Sequence, residues 1–198
     1  EEGEVGLITY MRTDSTRLAD EAVQEARQYI HEHYGKDYVP PQPRRYRSQK
    51  AAQEAHEAIR PTSVLRTPDQ VKRYLSAEQQ SLYTLIWNRL VASQMSSAVL
   101  DHTTVDITAK QYSFRATGAV MRFPGFTALY EESLAETVKP DTDAGAQNRL
   151  LPPLAVGQDV QVTSLEPNQH FTQPPPRFTE ASLVSELEKL GIGRPSTY

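Results

Sequence analysis

Residues 6–15 place several groups suited to phosphate chemistry within one short stretch. Their sequence, Gly-Leu-Ile-Thr-Tyr-Met-Arg-Thr-Asp-Ser, combines a phenol, a guanidinium, a carboxylate and hydroxyls. A tyrosine with an ordinary pKa near 10 is only about 0.1% ionised at pH 7, a deficit of roughly 4 kcal/mol for nucleophilic attack. Arg12 follows Tyr10 by two residues, so both side chains lie on the same face of an extended segment. The guanidinium of Arg12 can donate two parallel hydrogen bonds to a phosphate. Tyr10 and Arg12 are therefore candidates for attack on a phosphate, although ordinary packing or surface pairing explains most Tyr-x-Arg pairs.

A second candidate set lies in residues 55–62, Ala-His-Glu-Ala-Ile-Arg-Pro-Thr. We predict a short helix over 48–59, ended by Pro61, because the residue before a proline is disfavoured in helical geometry. His56 and Arg60 are then four residues apart on one face and can point at one anion. A surface histidine beside a solvated arginine is the alternative. His56 lacks the second histidine of a zinc-protease motif, and the sequence shows no metal-ligand set.

Two further segments carry cations or phosphate-binding side chains. Residues 44–50, Arg-Arg-Tyr-Arg-Ser-Gln-Lys, surround an aromatic ring with positive charge, which suits backbone contact and base stacking on single-stranded nucleic acid. A solvated loop is the alternative. Residues 191–198 place Arg194 and Thr197 after two glycines, although a helix C-cap also explains such glycines.

The overall composition favours no particular partner. The net charge of −4 argues against a uniformly basic nucleic-acid surface. The acidic residues cluster in 1–4, 131–136 and 141–143, however, so a local basic groove near the arginines is possible. The absence of cysteine excludes disulfides and thiolate metal sites. No apolar run approaches the roughly 18 residues that span a bilayer, and the start lacks Met and a signal pattern, so we expect part of a longer, non-membrane protein.

Helices and a small β region must position these candidates. Apolar spacing predicts a helix over 18–33 and a stronger one over 76–100, the latter opened by a capping box of Ser76 and Gln79. Residues 35–48 hold three prolines and are predicted to be an exposed loop. Alternating or β-branched segments predict short strands after residue 100, and a final helix begins at Thr179 and ends at Gly191. The predicted strands are 103–107, 111–117, 119–123, 128–132 and 157–165.

Three segments together resemble bacterial type IA DNA topoisomerases. Residues 6–15 resemble the active-site tyrosine motif of that family almost letter for letter, and residues 55–62 resemble its second motif. Residues 178–184, Phe-Thr-Glu-Ala-Ser-Leu-Val, and 191–198, Gly-Ile-Gly-Arg-Pro-Ser-Thr-Tyr, resemble a third. The motifs occur in the family's order and span nearly the whole chain. Residues 99–173 resemble the family in the type of residue more than in residue identity.

The resemblance implies an α+β fold. A helical, tyrosine-bearing domain over 1–98 is expected to precede a small antiparallel β arch over 99–175. Residues 176–198 are then expected to begin a further helical domain that binds the DNA strand. The whole enzyme would be a monomeric ring in the bacterial cytoplasm and nucleoid, and its Toprim domain would lie upstream of these residues.

The resemblance also implies a reaction. Tyr10 would become linked to the 5′ phosphate of a cleaved single strand in negatively supercoiled DNA, a second strand would pass, and resealing would need no ATP. Arg12 would hold the scissile phosphate, and His56 would contact nearby DNA. Mg²⁺ would be bound by the Toprim domain, so no cofactor is expected here, and the chain alone is expected to be inactive. Arg60, Arg194 and Thr197 are further DNA-contact candidates.

Three other classes of protein were weighed. A non-catalytic DNA-binding module is the main alternative, and it predicts DNA binding that is unaffected by Tyr10→Phe. A tyrosine recombinase needs several arginines and a histidine around a C-terminal tyrosine, which this sequence does not show. A structural or interaction protein leaves the three motifs unexplained.

Overall fold

The structure is a computed structural model that describes residues 5–11, 15–46, 57–130, 151–169, 171–172 and 174–193. Its contacts divide the chain into two compact units. One unit contains the described residues up to Val99 together with 122–130, and the other contains Leu100–Met121 together with the described residues of 151–193. Helices and a two-stranded antiparallel sheet confirm the predicted α+β class. The predicted domain boundaries stay a prediction.

Helix α1 spans Asp20–His33 in the first unit. Its apolar residues recur at helical spacing and are buried, as the sequence predicted. Its charges suit the helix dipole, because Asp20 and Glu21 lie in the first turn and two histidines lie in the last. The buried residues of α1 are Ala22, Val23, Ala26, Tyr29 and Ile30.

Helix α3, Ala77–Ser93, contributes the other half of this core. Trp87 packs edge-on against Tyr29 of α1, with ring centroids 5.3 Å apart. The Trp87 indole Nε1 also donates to the carbonyl of Val64, at 2.9 Å. Because a buried indole N–H needs an acceptor, this bond ties the segment after residue 61 to α3. The core cluster consists of Tyr29, Ile30, Val64, Val71, Tyr83, Trp87, Val91 and Met95.

The sequence predicted both ends of α3, and one of the two predictions is correct. The capping box at its start is confirmed, since the Ser76 hydroxyl accepts from the Gln79 backbone and the Gln79 side chain accepts from the Ser76 backbone. The predicted end at residue 100 is wrong. Ser96 instead donates its backbone N–H to the Tyr38 carbonyl, at 2.8 Å, and its hydroxyl to the Asp37 carbonyl. These bonds to a distant loop replace the helical ones.

Two short segments of the first unit, 36–38 and 68–74, contain helical turns that the sequence did not predict. A 3₁₀ helix spans Lys36–Tyr38 within the predicted loop. A short helix α2 spans Pro68–Val71, with Thr67 and Gln70 forming its capping box, and a 3₁₀ turn at Lys72–Tyr74 follows it. Both lie in stretches too short for periodicity to reveal.

The predicted strands of 103–123 form one long hairpin. Strand β1 spans Val99–Ala109 and strand β2 spans Tyr112–Phe123, and they pair antiparallel. Lys110 in the turn adopts a left-handed conformation, with φ of 55°. Most of the hairpin's side chains are exposed.

The predicted strands at 128–132 and 157–165 are not found. Residues 157–165 have no strand, and the Gly125–Ala128 segment is a 3₁₀ helix. Gly125 has φ of 52°, and a Cβ on it would lie 2.5 Å from the backbone carbonyl oxygen of Ser96. Phe126 donates its N–H to that same carbonyl, at 2.9 Å. This contact with the end of α3 turns the chain away from an extended path. Residues 131–132 lie outside the described residues.

Helix α4 spans Glu180–Leu190 in the second unit and confirms the last predicted helix. Thr179 caps its start through the backbone N–H of Ser182. Gly191 ends it in the left-handed conformation, with φ of 67°. Among the described residues, no helix combines the length and apolar character needed to cross a membrane.

Candidate functional site

The segment that carries Tyr10 pairs with the second motif. Ile8 and Pro61 form an isolated antiparallel bridge. The Thr9 N–H donates to the Arg60 carbonyl, at 2.9 Å, and the Thr62 N–H donates to the Leu7 carbonyl, at 3.0 Å. Two motifs that are distant in sequence are therefore aligned by backbone hydrogen bonds.

Tyr10 lies at the open end of this pairing. Leu7 and Ile8 pack against the core of the first unit, which anchors the segment. Tyr10 itself is 79% exposed, and Met11 beside it is also exposed. A large, exposed aromatic residue next to an anchored segment can be reached by a macromolecular substrate.

Thr9, the neighbour of Tyr10, holds the pairing with its side chain. Its hydroxyl donates to the Ala58 carbonyl, at 2.9 Å, and accepts from the Arg60 N–H, at 3.0 Å. The hydroxyl therefore satisfies one donor and one acceptor of the second motif at once. In the sequence Thr9 is visible only as one hydroxyl of the motif, because its partners Ala58 and Arg60 lie about 50 residues away.

Glu57 and Arg60 of the second motif form an ion pair with two hydrogen bonds. Arg60 donates from Nε to Oε1 of Glu57, at 2.6 Å, and from Nη2 to Oε2, at 3.1 Å. Its remaining nitrogen, Nη1, donates to the Pro61 carbonyl, at 2.8 Å. The Arg60 side chain is only 14% exposed. Such a two-point pair is geometrically specific and is stronger than a single contact.

Glu57 also joins this pair to the start of α1. Its Oε1 accepts the backbone N–H of Ala19, the residue that precedes the helix, at 2.8 Å. Burial alone would raise the pKa of the Glu57 carboxyl, but the bonds from Arg60 and Ala19 and the positive charges of Arg60 and Arg17 lower that pKa below its ordinary value. Glu57 is therefore held as a carboxylate that links the second motif to α1.

The helix predicted over 48–59 is wrong for the part that the structure describes. Residues 57–59 are not helical. The Ala58 N–H donates to the Arg17 carbonyl, at 2.8 Å, and its carbonyl accepts from Thr9. These bonds to the stretch around Tyr10 and α1 take the place of helical bonds. The described end of the motif therefore does not carry Arg60 on a helical face, and the guanidinium of Arg60 turns to Glu57.

Several predicted site residues lie outside the described residues. These are Arg12, His56, Arg194 and Thr197. Their assigned roles stay predictions, as does the DNA contact assigned to Arg60. The signal that could have revealed Glu57 was its spacing of three residues from Arg60.

Histidine and acidic side chains are the groups in this chain that could hold a metal ion. Within the part of the chain that the structure describes, three or more such side chains never come together in a set that could hold a metal ion. The Mg²⁺ site that the resemblance assigns to another domain stays a prediction.

Comparison with known proteins identifies the family. A family model described as DNA topoisomerase matches residues 3–198. The solved structure of full-length topoisomerase I from Thermotoga maritima matches with a TM-score of 0.77 and 38% sequence identity, over 100% of this chain and 30% of that chain. The chain thus spans less than a third of that relative's length. It belongs to the DNA topoisomerase family, and its recognition as a bacterial type IA topoisomerase from its motifs is confirmed.

Proposed function

We propose that this chain supplies the nucleophile of a type IA topoisomerase, with Tyr10 as the attacking residue. In this proposal the enzyme cleaves one strand of negatively supercoiled DNA, passes a second strand through the gap and reseals the break. The exposure of Tyr10 on a segment bonded to the second motif carries the proposal. An exposed phenol accepts a DNA strand from solvent, while the anchored backbone limits where its oxygen can be.

The proposed step exchanges one phosphodiester for another. The Tyr10 Oη attacks the phosphorus, an Oη–P bond forms, and the bond between phosphorus and the 3′ oxygen of the preceding nucleotide breaks. The phenol loses its proton, and the leaving 3′ oxygen gains one, so the step is balanced in protons. Resealing reverses each change. Because one phosphate ester replaces another, the energy of the cleaved bond is retained, and ATP is not required.

The other site residues have supporting roles in this proposal. Arg12 binds the scissile phosphate and favours the phenolate, since its guanidinium places positive charge where negative charge develops. His56 contacts the DNA near that phosphate, and Arg194 and Thr197 contact the strand further away. Mg²⁺, bound by the Toprim domain of the whole enzyme, would supply further charge neutralisation at the phosphate.

The test is the covalent adduct formed by the full-length enzyme that contains this chain. A labelled single-stranded oligonucleotide is incubated with the enzyme, and the adduct is separated under denaturing conditions. We expect Tyr10→Phe to abolish the adduct, because the ring remains but the attacking oxygen is gone. Tyr112→Phe is the matched control, since Tyr112 is also well exposed but lies on the β-hairpin, and it should leave the adduct unchanged.

The two outcomes separate the proposal from its main alternative. Loss of the adduct with Tyr10→Phe alone, in a protein with unchanged circular dichroism, supports the nucleophile. An adduct that persists in Tyr10→Phe would remove Tyr10 from the chemistry. DNA binding without any adduct in the unchanged enzyme would favour a non-catalytic DNA-binding module.

A further inference from the structure

A cavity of about 370 Å³ lies in the first unit, beside the start of α1. Its wall includes Thr16, Arg17 and Leu18, which directly follow the tyrosine motif, and Pro43–Tyr46 from the proline-rich stretch. Its size is within the range of about 300–1,000 Å³ typical of sites that enclose small ligands. The cavity therefore has room for one nucleotide of a strand.

The residues that line the cavity carry a net charge opposite in sign to that of the whole chain. Arg17, Arg44 and Arg45 line it together with one acidic residue, Asp20, so three positive charges and one negative leave +2. The whole chain carries −4. A locally basic, concave surface on an acidic protein attracts an anionic ligand, because concave walls focus the field of the charges that line them.

Tyr46 and Arg44 are held in place by the far end of α3. The Tyr46 hydroxyl donates to the Ser93 carbonyl, at 2.8 Å, and Arg44 donates from Nη2 to the Ser97 hydroxyl, at 2.7 Å. Gln94 also donates to the Arg44 carbonyl, at 3.2 Å. The Tyr46 ring is about half exposed. A ring that is fixed at its hydroxyl and open at its side can stack on a base without first being ordered.

Arg45 is the residue best able to exchange its present partner for a phosphate. It makes a single 3.0 Å bond to Asp20, and the two side chains are 76% and 68% exposed. Exposed pairs of this kind contribute little to stability, because water screens them. A phosphate oxygen can therefore replace the Asp20 carboxylate at low cost.

We propose that this cavity is a subsite for one nucleotide of a single DNA strand. Arg45 and Arg44 bind the phosphate, and Tyr46 stacks on the base. The proposal deepens the proposed function and rests on it, because it takes the ligand to be the strand on which Tyr10 acts. Arginines around an aromatic ring fit a nucleotide, whereas a free phosphate would leave the ring without a partner.

The test measures the binding of a fluorescein-labelled oligothymidine to the 198-residue chain by anisotropy over a range of salt concentrations. We expect Arg45→Ala to weaken binding and to lower the slope of log K against log salt by about 0.7, the value for one lost single-strand phosphate contact. Tyr46→Leu should weaken binding roughly five-fold or more, but should leave the binding of an abasic strand unchanged. Asp20→Asn should strengthen binding, because it removes the competing carboxylate.

The control is Arg115→Ala, which removes one arginine from the β-hairpin. Arg115 pairs with Asp106 at 68% and 52% exposure, so it matches the Arg45 pair in charge and exposure but lies in the other unit. It should leave binding nearly unchanged. Equal losses in Arg45→Ala and Arg115→Ala, or no gain in Asp20→Asn, would overturn the subsite. Equal affinity of the unchanged chain for the thymidine and abasic strands would overturn the stacking on Tyr46.

Failure here is distinguishable from failure of the proposed function. If Arg45→Ala binds normally while the full-length enzyme still forms its Tyr10-dependent adduct, the subsite is wrong and the nucleophile stands. If the subsite variants behave as expected but no adduct forms, the nucleophile is wrong.

Discussion

Glu57 is a single carboxylate that joins the second motif to the start of α1. It binds Arg60 through both oxygens, and it also accepts the N–H of Ala19 at the start of α1. Arg60 in turn exchanges backbone and hydroxyl bonds with Thr9, the neighbour of Tyr10. The position of the tyrosine therefore depends on a carboxylate that does not touch it. We expect Arg60 to position the Tyr10 segment through these bonds.

We expect Glu57→Gln to lower the free energy of unfolding by on the order of 1–3 kcal/mol at pH 7, because the enclosed Arg60 guanidinium loses its charged partner. The pKa of Glu57 is lowered in the folded state. Its contribution to stability is therefore fully present above its ordinary pKa of about 4.5 and is lost as the pH falls through the lowered pKa.

Urea unfolding of both proteins between pH 7 and pH 3 checks this expectation. The difference between the unchanged protein and Glu57→Gln should shrink as the pH falls. Glu186→Gln is a control, because Glu186 forms only an exposed pair with Lys189 in α4. A Glu57→Gln difference that stays constant over the whole range would show that the charge of Glu57 contributes nothing.

Thr9→Val should slow the formation of the covalent adduct. Valine keeps the shape of threonine but leaves the Ala58 carbonyl and the Arg60 N–H without the hydroxyl that now satisfies both. Thr9→Ser keeps that hydroxyl and should retain most of the rate. We expect the affinity for a single-stranded oligonucleotide to change little in either variant. Equal rates for the two variants would contradict the positioning role of Thr9.

The end of α3 and the 3₁₀ helix at Gly125–Ala128 depend on one close contact. A Cβ on Gly125 would lie 2.5 Å from backbone atoms of Ser96 and Ser97, and its φ of 52° is unfavourable for other residues. Gly35 in the same unit also has a positive φ, of 99°, but has open space around the position of a Cβ. Alanine substitutions at these two glycines can therefore distinguish steric crowding, which arises at Gly125 alone, from backbone strain, which arises at both.

We expect Gly125→Ala to destabilise the protein clearly more than Gly35→Ala does. The latter adds only the strain of a disfavoured conformation, on the order of 1–3 kcal/mol. The former adds an overlap with backbone that cannot move without disturbing α3. Thermal unfolding of both variants, followed by circular dichroism, measures the difference. Similar midpoints would show that the segment after β2 can shift freely.

Taken as a whole, the chain carries the proposed nucleophile but spans only 30% of the solved topoisomerase I that it matches. We therefore expect the 198-residue chain to leave a negatively supercoiled plasmid unrelaxed in the presence of Mg²⁺. A gel-based relaxation assay checks this, with the full-length enzyme as the positive control. Relaxation by the chain alone, lost again in Tyr10→Phe, would place the entire active site within these residues.

Local signals predicted several elements correctly. The polar caps Ser76 and Thr179 and the end at Gly191 lie within a few residues of the backbone groups that they satisfy, so the sequence displays both partners together. The buried face of α1 was also readable, because apolar spacing reflects helical geometry. The motif around Tyr10 also identified the family, because it consists of consecutive residues in the sequence.

Contacts between distant residues were decided only by the tertiary structure. Helical spacing predicted that residues 57–59 continue a helix, but Ala58 bonds instead to Arg17 and Thr9, and Arg60 bonds to a residue 51 positions away. The early end of α3 and the cavity beside Tyr46 also arise from contacts between residues that are far apart in the sequence. The sequence alone determined the family, the main helices and the candidate nucleophile. The exposure of Tyr10 and the bonds that hold its segment came only with folding, because they join groups whose distance along the chain carries no local signal.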